Sequence, residues 1–184
     1  MRFRNTETRF GAVAMTLHWL VFALVVAMVA LGWTMVPMPV SADKLRLYDL
    51  HKSIGIVALT LMALRLAWRF ASPPPPLPNH MKPWERALAR ASHALLYVIL
   101  FAMPLSGWIM SSAANFPVSV FGLFTLPNLV APDKALLAAA KTFHRFTSYA
   151  LLALLALHVL GAFKHHVIDK DDVLKRMLPG GGGR

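Results

Sequence analysis

Cysteine is absent from the 184 residues. That excludes disulfides, iron–sulfur ligation and thiolate catalysis. Acidic residues are scarce, with eight Asp and Glu against nineteen Lys and Arg, and none lies in the interior of a long apolar run. A proton-relay transporter more commonly carries Asp or Glu there. The formal charge of +11 does not gather into a stripe. The basic residues flank apolar segments, so anionic lipid and membrane topology account for them and no nucleic acid is expected. No internal repeat and no soluble domain is visible. The N-terminus has no small-residue cleavage site followed by a polar domain, so the first apolar run reads as a retained span.

Apolar sequence is what the chain has in excess. It is 57% hydrophobic, where a soluble domain is usually about 45–50%. Four runs meet the roughly 20-residue need of a bilayer-spanning helix: Gly11 to Thr34, Leu50 to Phe70, Ala89 to Ser112 and Ala135 to Phe163. The expected fold is an all-α, integral membrane four-helix bundle occupying 1–179, with a flexible glycine-rich tail at 180–184. Pro104 is expected to kink the third span. The connections are Met35–Asp49 with Pro37 and Pro39, Ala71–Pro83 with four consecutive prolines from Pro73, and the longer, apolar Ala113–Lys134. Thirteen of the nineteen Lys and Arg fall on the side that holds both termini and the second connection. The positive-inside rule then puts both termini in the cytoplasm.

Within this apolar background the histidines stand out, because an ionisable residue inside a span is a functional candidate by default. His144 and His158 lie fourteen residues apart in the fourth run. On a helix that spacing returns to nearly the same face after a rise of roughly 21 Å. His18 sits two turns into the first span and His51 opens the second. The chain reverses at each connection, so depth pairs His18 with His158 near the inner side and His51 with His144 near the outer side.

Two pairs of neutral imidazoles suit two haems b, each held non-covalently through both axial positions. Such sites leave no open position for oxygen, and electron transfer is the expected task. The plainer alternative is that intramembrane histidines hydrogen-bond across helices. Four that pair by depth weigh against it. A zinc site would need several ligands converging at one level, and no two-His-plus-carboxylate cluster is visible within the spans.

Further candidates surround these four. His93, near the inner start of the third span, is placed to contact a haem propionate or a quinone, or to pack at the interface. His165 and His166 follow the fourth span and either border a quinone headgroup or anchor the helix at the membrane surface. His80, in the proline-rich connection, is expected to be solvated. Arg145 and Lys52, next to His144 and His51, are candidate propionate partners at the outer site, and Arg9 at the inner one. Each has an ordinary alternative as a topology-setting charge. The five tryptophans fit interfacial belts, and Trp19 and Trp68 are also placed to line a cofactor pocket.

These residues resemble the prokaryotic cytochrome b561 family over nearly the whole chain. The similarity lies in Leu17-His18-Trp19-Leu20, His51-Lys-Ser-Ile-Gly55, His93 with Met103-Pro104-Leu-Ser-Gly107, then His144 and His158. It continues through His165-His166 and Lys170-Asp-Asp-Val-Leu-Lys-Arg-Met177. The resemblance implies a four-helix protein of the bacterial inner membrane with two haems b ligated by His18, His51, His144 and His158. It also implies electron passage between a periplasmic partner and the quinone pool. One small type in the family oxidises superoxide and reduces ubiquinone. Other members are haem-bearing membrane subunits that relay electrons for a partner dehydrogenase, which is the alternative function for this chain. The outer face bears Lys44, Arg46, Lys52, Lys134, Lys141 and Arg145 against Asp43, Asp49 and Asp133. That balance would steer a small anionic periplasmic reductant, superoxide or another, toward the outer site.

Overall fold

The computed structural model describes residues 2–180 and is a membrane bundle of four long helices. They are α1 (Ala12–Met35), α2 (Ala42–Ala71), α3 (Pro83–Ala113) and α4 (Lys134–Val167). Each is long and apolar enough to cross a bilayer. Of the expected tail, only Gly180 lies among the described residues.

The helices extend beyond the apolar runs where local signals allow it. α2 begins at Ala42, a full two turns before Leu50, so the first connection is shorter than expected. Ser41 caps it by accepting from Lys44 N at 3.2 Å, with Asp43 in the first turn. α3 begins at Pro83, whose missing N–H costs nothing at the first helical position, and Glu85 reaches back to Lys82 N at 2.9 Å. α3 then runs through Pro104 as continuous helix. Asp133 caps α4 by accepting from Ala135 N and Leu136 N at 2.7 and 2.9 Å, and Lys164, His165 and His166 sit in its last turn, where the dipole favours cations.

The third connection folds into a short antiparallel β-hairpin that the apolar pattern did not indicate. β1 (Ser119–Val120) pairs with β2 (Phe124–Thr125). Phe121 and Gly122, at φ 50° and 72°, are the central left-handed pair of a turn closed by Leu123 N on Val120 O at 2.9 Å, within a three-residue connection from Val120 to Phe124. Ser53 of α2 holds the hairpin: its Oγ contacts Ser119 O at 3.1 Å and accepts from Phe121 N at 3.0 Å. At the opposite end the two terminal segments and the proline-rich connection interlock. Asn5 bonds Ser72 O at 2.7 Å and Gly11 N at 2.8 Å, and Phe10 N reaches Arg176 O at 3.3 Å. Both termini therefore lie at one end of the bundle.

α1 packs closely on α2, α2 on α3, and α3 on α4, while α4 keeps a wider backbone spacing from α1 and α2. At mid-depth Val21, Val25, Met62, Leu96 and Leu151 form the buried core, extended by Leu100, Phe101 and Leu154. Leu151 is seven residues from both His144 and His158, two turns from each on the same stripe.

Candidate functional site

The two histidine pairs lie above and below this apolar layer, and both span the wide seam facing α4. The ring centroids of His18 and His158 are 6.1 Å apart, and those of His51 and His144 are 6.4 Å apart. Two imidazoles that bind one metal from opposite sides through bonds of about 2 Å hold their ring centres roughly 6 Å apart. His93 of α3 lies 5.2 Å from His158, closer than that opposed geometry requires. It stands beside the inner pair.

Small residues surround the outer pair. A Cβ on Gly107 would lie 3.7 Å from His144 Cε1, one on Gly32 would lie 4.0 Å from His51 Cε1, and one on Gly55 would meet Met28 at 3.4 Å. The histidines are also prepared as donors of lone pairs. Ser106 Oγ lies 2.7 Å from Met103 O and 2.8 Å from His144 Nδ1. A carbonyl only accepts, so the single hydroxyl proton goes to Met103, and the hydroxyl accepts from His144 Nδ1–H. Nε2 of His144 is then the free, ligating nitrogen. Across the seam, His51 Nδ1 is buried without a hydrogen-bond partner. Paired neutral nitrogens, glycine-lined space and a wide seam all fit a planar macrocycle with an axial ligand on each face.

The remaining candidates divide. Lys52 is held by Asp49 at 2.8 Å and lies mostly buried beside His51. Arg145 is exposed. Arg9 donates to Leu178 O at 2.9 Å and so braces the C-terminal segment. His165 and His166 point apart: His166 is exposed, while His165 is buried and sits 2.7 Å from Asp171 and 3.0 Å from Asp169. His80, expected in solvent, is half-exposed and reaches the same Asp171 oxygen at 3.2 Å. Lys164 completes the network through Glu85 and Asp169, each at 2.7 Å. Burial works against ionisation of Asp171, but the Val173 N–H, His165 and His80 outweigh it and hold the carboxyl below its usual range. Of the tryptophans, Trp33 and Trp84 are exposed as belt residues. Trp19 donates to Met177 O at 2.9 Å, and Trp68 lines a half-open cleft.

Arg65 is the residue the sequence reading missed. By sequence it is one of the thirteen basic residues of the inner side, yet it lies inside the bundle with Nη1 3.1 Å from Ala14 O. The signal was available: Arg65 follows His51 by the same fourteen residues that separate His144 from His158.

A family model for the prokaryotic cytochrome b561 family matches residues 9–180. The chain belongs to that family. It is a membrane electron-transfer protein that binds haem b. This cytochrome b561 family member is 42% identical to Cytochrome b561 homolog 2 of Escherichia coli (strain K12) over 187 residues, covering 97% of this chain and 95% of that protein. It is 29% identical to Cytochrome b561 homolog 1 of the same organism, over 93% of this chain and 97% of the relative. It is 27% identical to Probable superoxide oxidase CybB of Yersinia pestis, over 93% and 96%.

Proposed function

We propose that the chain is a di-haem b oxidoreductase of the bacterial inner membrane, with both termini cytoplasmic, that takes electrons from a small anionic periplasmic reductant and delivers them to ubiquinone. The observation that carries this reading is the pair of histidine couples at 6.1 and 6.4 Å, set on one stripe of α4. His51 and His144 would hold the outer haem, and His18 and His158 the inner one. Bound there, the haems would supply one-electron couples. Lys52 and Arg145 are the candidate outer propionate partners. Arg9, whose Nη2 donates to Leu178 O while its Nε is buried without a partner, is the candidate propionate partner at the inner end.

Superoxide is the reductant we favour, because the name of the Yersinia pestis relative carries that activity and the outer rim is basic. Asp43 and Asp49 offset Arg46 and Lys52, and Lys44, Lys134, Lys141 and Arg145 remain against Asp133 on that face to steer an anion. In balance, two superoxide anions each give up one electron and leave as dioxygen. One ubiquinone takes two electrons and two protons to become the quinol. His93, against His158, supports a quinone position near the inner pair, with His165 and His166 beyond it.

The test is haem content and superoxide-dependent quinone reduction in purified variants. His51→Ala or His144→Ala should each remove one spectrally distinct haem, and His18→Ala or His158→Ala the other. Four variants that all keep two haems per chain would refute the ligand set. Quinone reduction unchanged after replacing His93, His165 and His166 together would refute the quinone position. A protein with two haems but no superoxide or quinol activity, co-purifying with a dehydrogenase, would transfer the function to the relay-subunit class.

A further inference from the structure

Arg65 occupies on α2 the place that His158 occupies on α4. The two helices run in the same direction, and each carries an outer histidine followed fourteen residues later by an inner polar group. Arg65 places its Nη1 3.1 Å from Ala14 O, one helical turn from His18 on α1. It also lies six residues inside the end of α2 at Ala71, deeper than a charge that only sets topology needs to be.

A guanidinium carries five N–H donors; Arg65 spends one on Ala14 O and also interacts with the Tyr97 hydroxyl, which leaves further donors free. No ion pair involves Arg65 among the described residues, and an intramembrane cation without a counter-ion is costly. The space beside it is a half-open cleft of about 20 Å³, enough for one water or for the oxygens at the tip of a larger group. Arg65, Arg69, Trp68, Tyr97 and Asn5 line it, and no carboxylate does. Trp68 Nε1 is buried and has no hydrogen-bond partner. Arg69 is braced over the Tyr97 ring at 5.7 Å. Two cations and an orphaned N–H donor around one cleft describe a receptor for an anion with oxygen acceptors.

We propose that Arg65 and the Trp68 N–H receive a propionate carboxylate of the inner haem, with Arg69 as the outer cation of the same receptor. This rests on reading His18 and His158 as that haem's ligands. The shared chemistry with a phospholipid headgroup is an anionic oxygen. The propionate is favoured because Arg65 holds Ala14 O at 3.1 Å, and Ala14 lies one helical turn from His18 on α1.

The experiment compares wild type, Arg65→Gln and Trp68→Phe as purified holoproteins. Haem count, spectrally resolved redox titration, resonance Raman propionate bending bands and native mass spectrometry of bound lipid are read together. Both variants should keep two haems. Arg65→Gln should lower the inner midpoint potential alone, since removing a nearby cation favours the ferric state, and should shift the propionate band. Trp68→Phe removes only one donor and should move the band by less, which covers the case where Arg65→Gln fails to fold. Propionate bands unchanged in both variants would overturn the proposal. If wild type then carries a bound phospholipid that Arg65→Gln loses, the receptor serves a headgroup. A wild type with fewer than two haems would instead overturn the di-haem reading itself.

Discussion

Replacing Ser106 by alanine tests the outer site at the level of one proton. The substitution removes the oxygen 2.8 Å from His144 Nδ1 and leaves the backbone of α3 in place. While the hydroxyl accepts from Nδ1–H, it makes His144 a more basic ligand and favours the ferric state. Such a hydrogen bond is worth about 1 kcal/mol net. A tenfold change in equilibrium is about 1.4 kcal/mol and corresponds to about 59 mV for one electron. If the whole bond strength discriminated between oxidation states, the outer haem would rise by about 40 mV in Ser106→Ala, and a smaller rise measures the fraction that does. Ser106→Thr, which keeps the hydroxyl, should stay near wild type. The assay is a potentiometric titration that follows both haems. An outer potential unmoved by Ser106→Ala with both haems bound would refute the tautomer assignment, as would an equal shift at the inner haem.

Two further outcomes follow from single contacts. Ser53→Ala leaves the Phe121 N–H without its acceptor at 3.0 Å, an unmade bond that costs about 1–3 kcal/mol where water is excluded. Faster hydrogen exchange at Phe121 and quicker proteolysis within 119–125 should report it, and unchanged exchange would remove Ser53 as the hairpin's anchor. Asp171→Asn tests the inner network through pH. The Asp171 carboxyl is held below its unfolded value, so its stabilisation is present above the ordinary carboxyl range and is lost as pH falls through the lowered one. Wild type should melt above Asp171→Asn at neutral pH, with the gap closing below roughly pH 4. A gap that widens on acidification would reverse the assignment.

Sequence alone carried the membrane class, the four spans and the two histidine pairings, because hydropathy and the helical repeat act on every residue of a span. It was less informative where structure continues past the bilayer. The first turns of α2 contain Asp43, Lys44 and Arg46 and are helical through Ser41 and local hydrogen bonds, which a hydropathy pattern does not register. α3 likewise starts at Pro83 for reasons of capping, ahead of its apolar run. The hairpin depends on Phe121 adopting a positive φ, a conformation rare for a bulky residue and enforced here by tertiary contact with Ser53. Arg65 was obscured by counting charges before asking which way each one faces. His165 and His166 are adjacent in sequence but sit about 100° apart around the helix, and only packing distinguishes the buried one from the exposed one.

The apolar layer at Val21, Val25, Met62, Leu96 and Leu151 has an electrical consequence. Its five buried members are all apolar, so under the di-haem proposal an electron passing between the two histidine levels would cross it without a polar group among them to carry a compensating proton. The levels are roughly 21 Å apart along α4, about seven-tenths of a hydrocarbon core roughly 30 Å thick. A full crossing is worth about 2.3 kcal/mol per 100 mV, so this step should carry about 1.6 kcal/mol per 100 mV. With the termini cytoplasmic as proposed, the electron would move toward the negative side of an energised membrane. Turnover in sealed vesicles should therefore slow as the membrane potential rises, and the same layer that separates the two sites would let the cell's energy state govern the rate at which they exchange electrons.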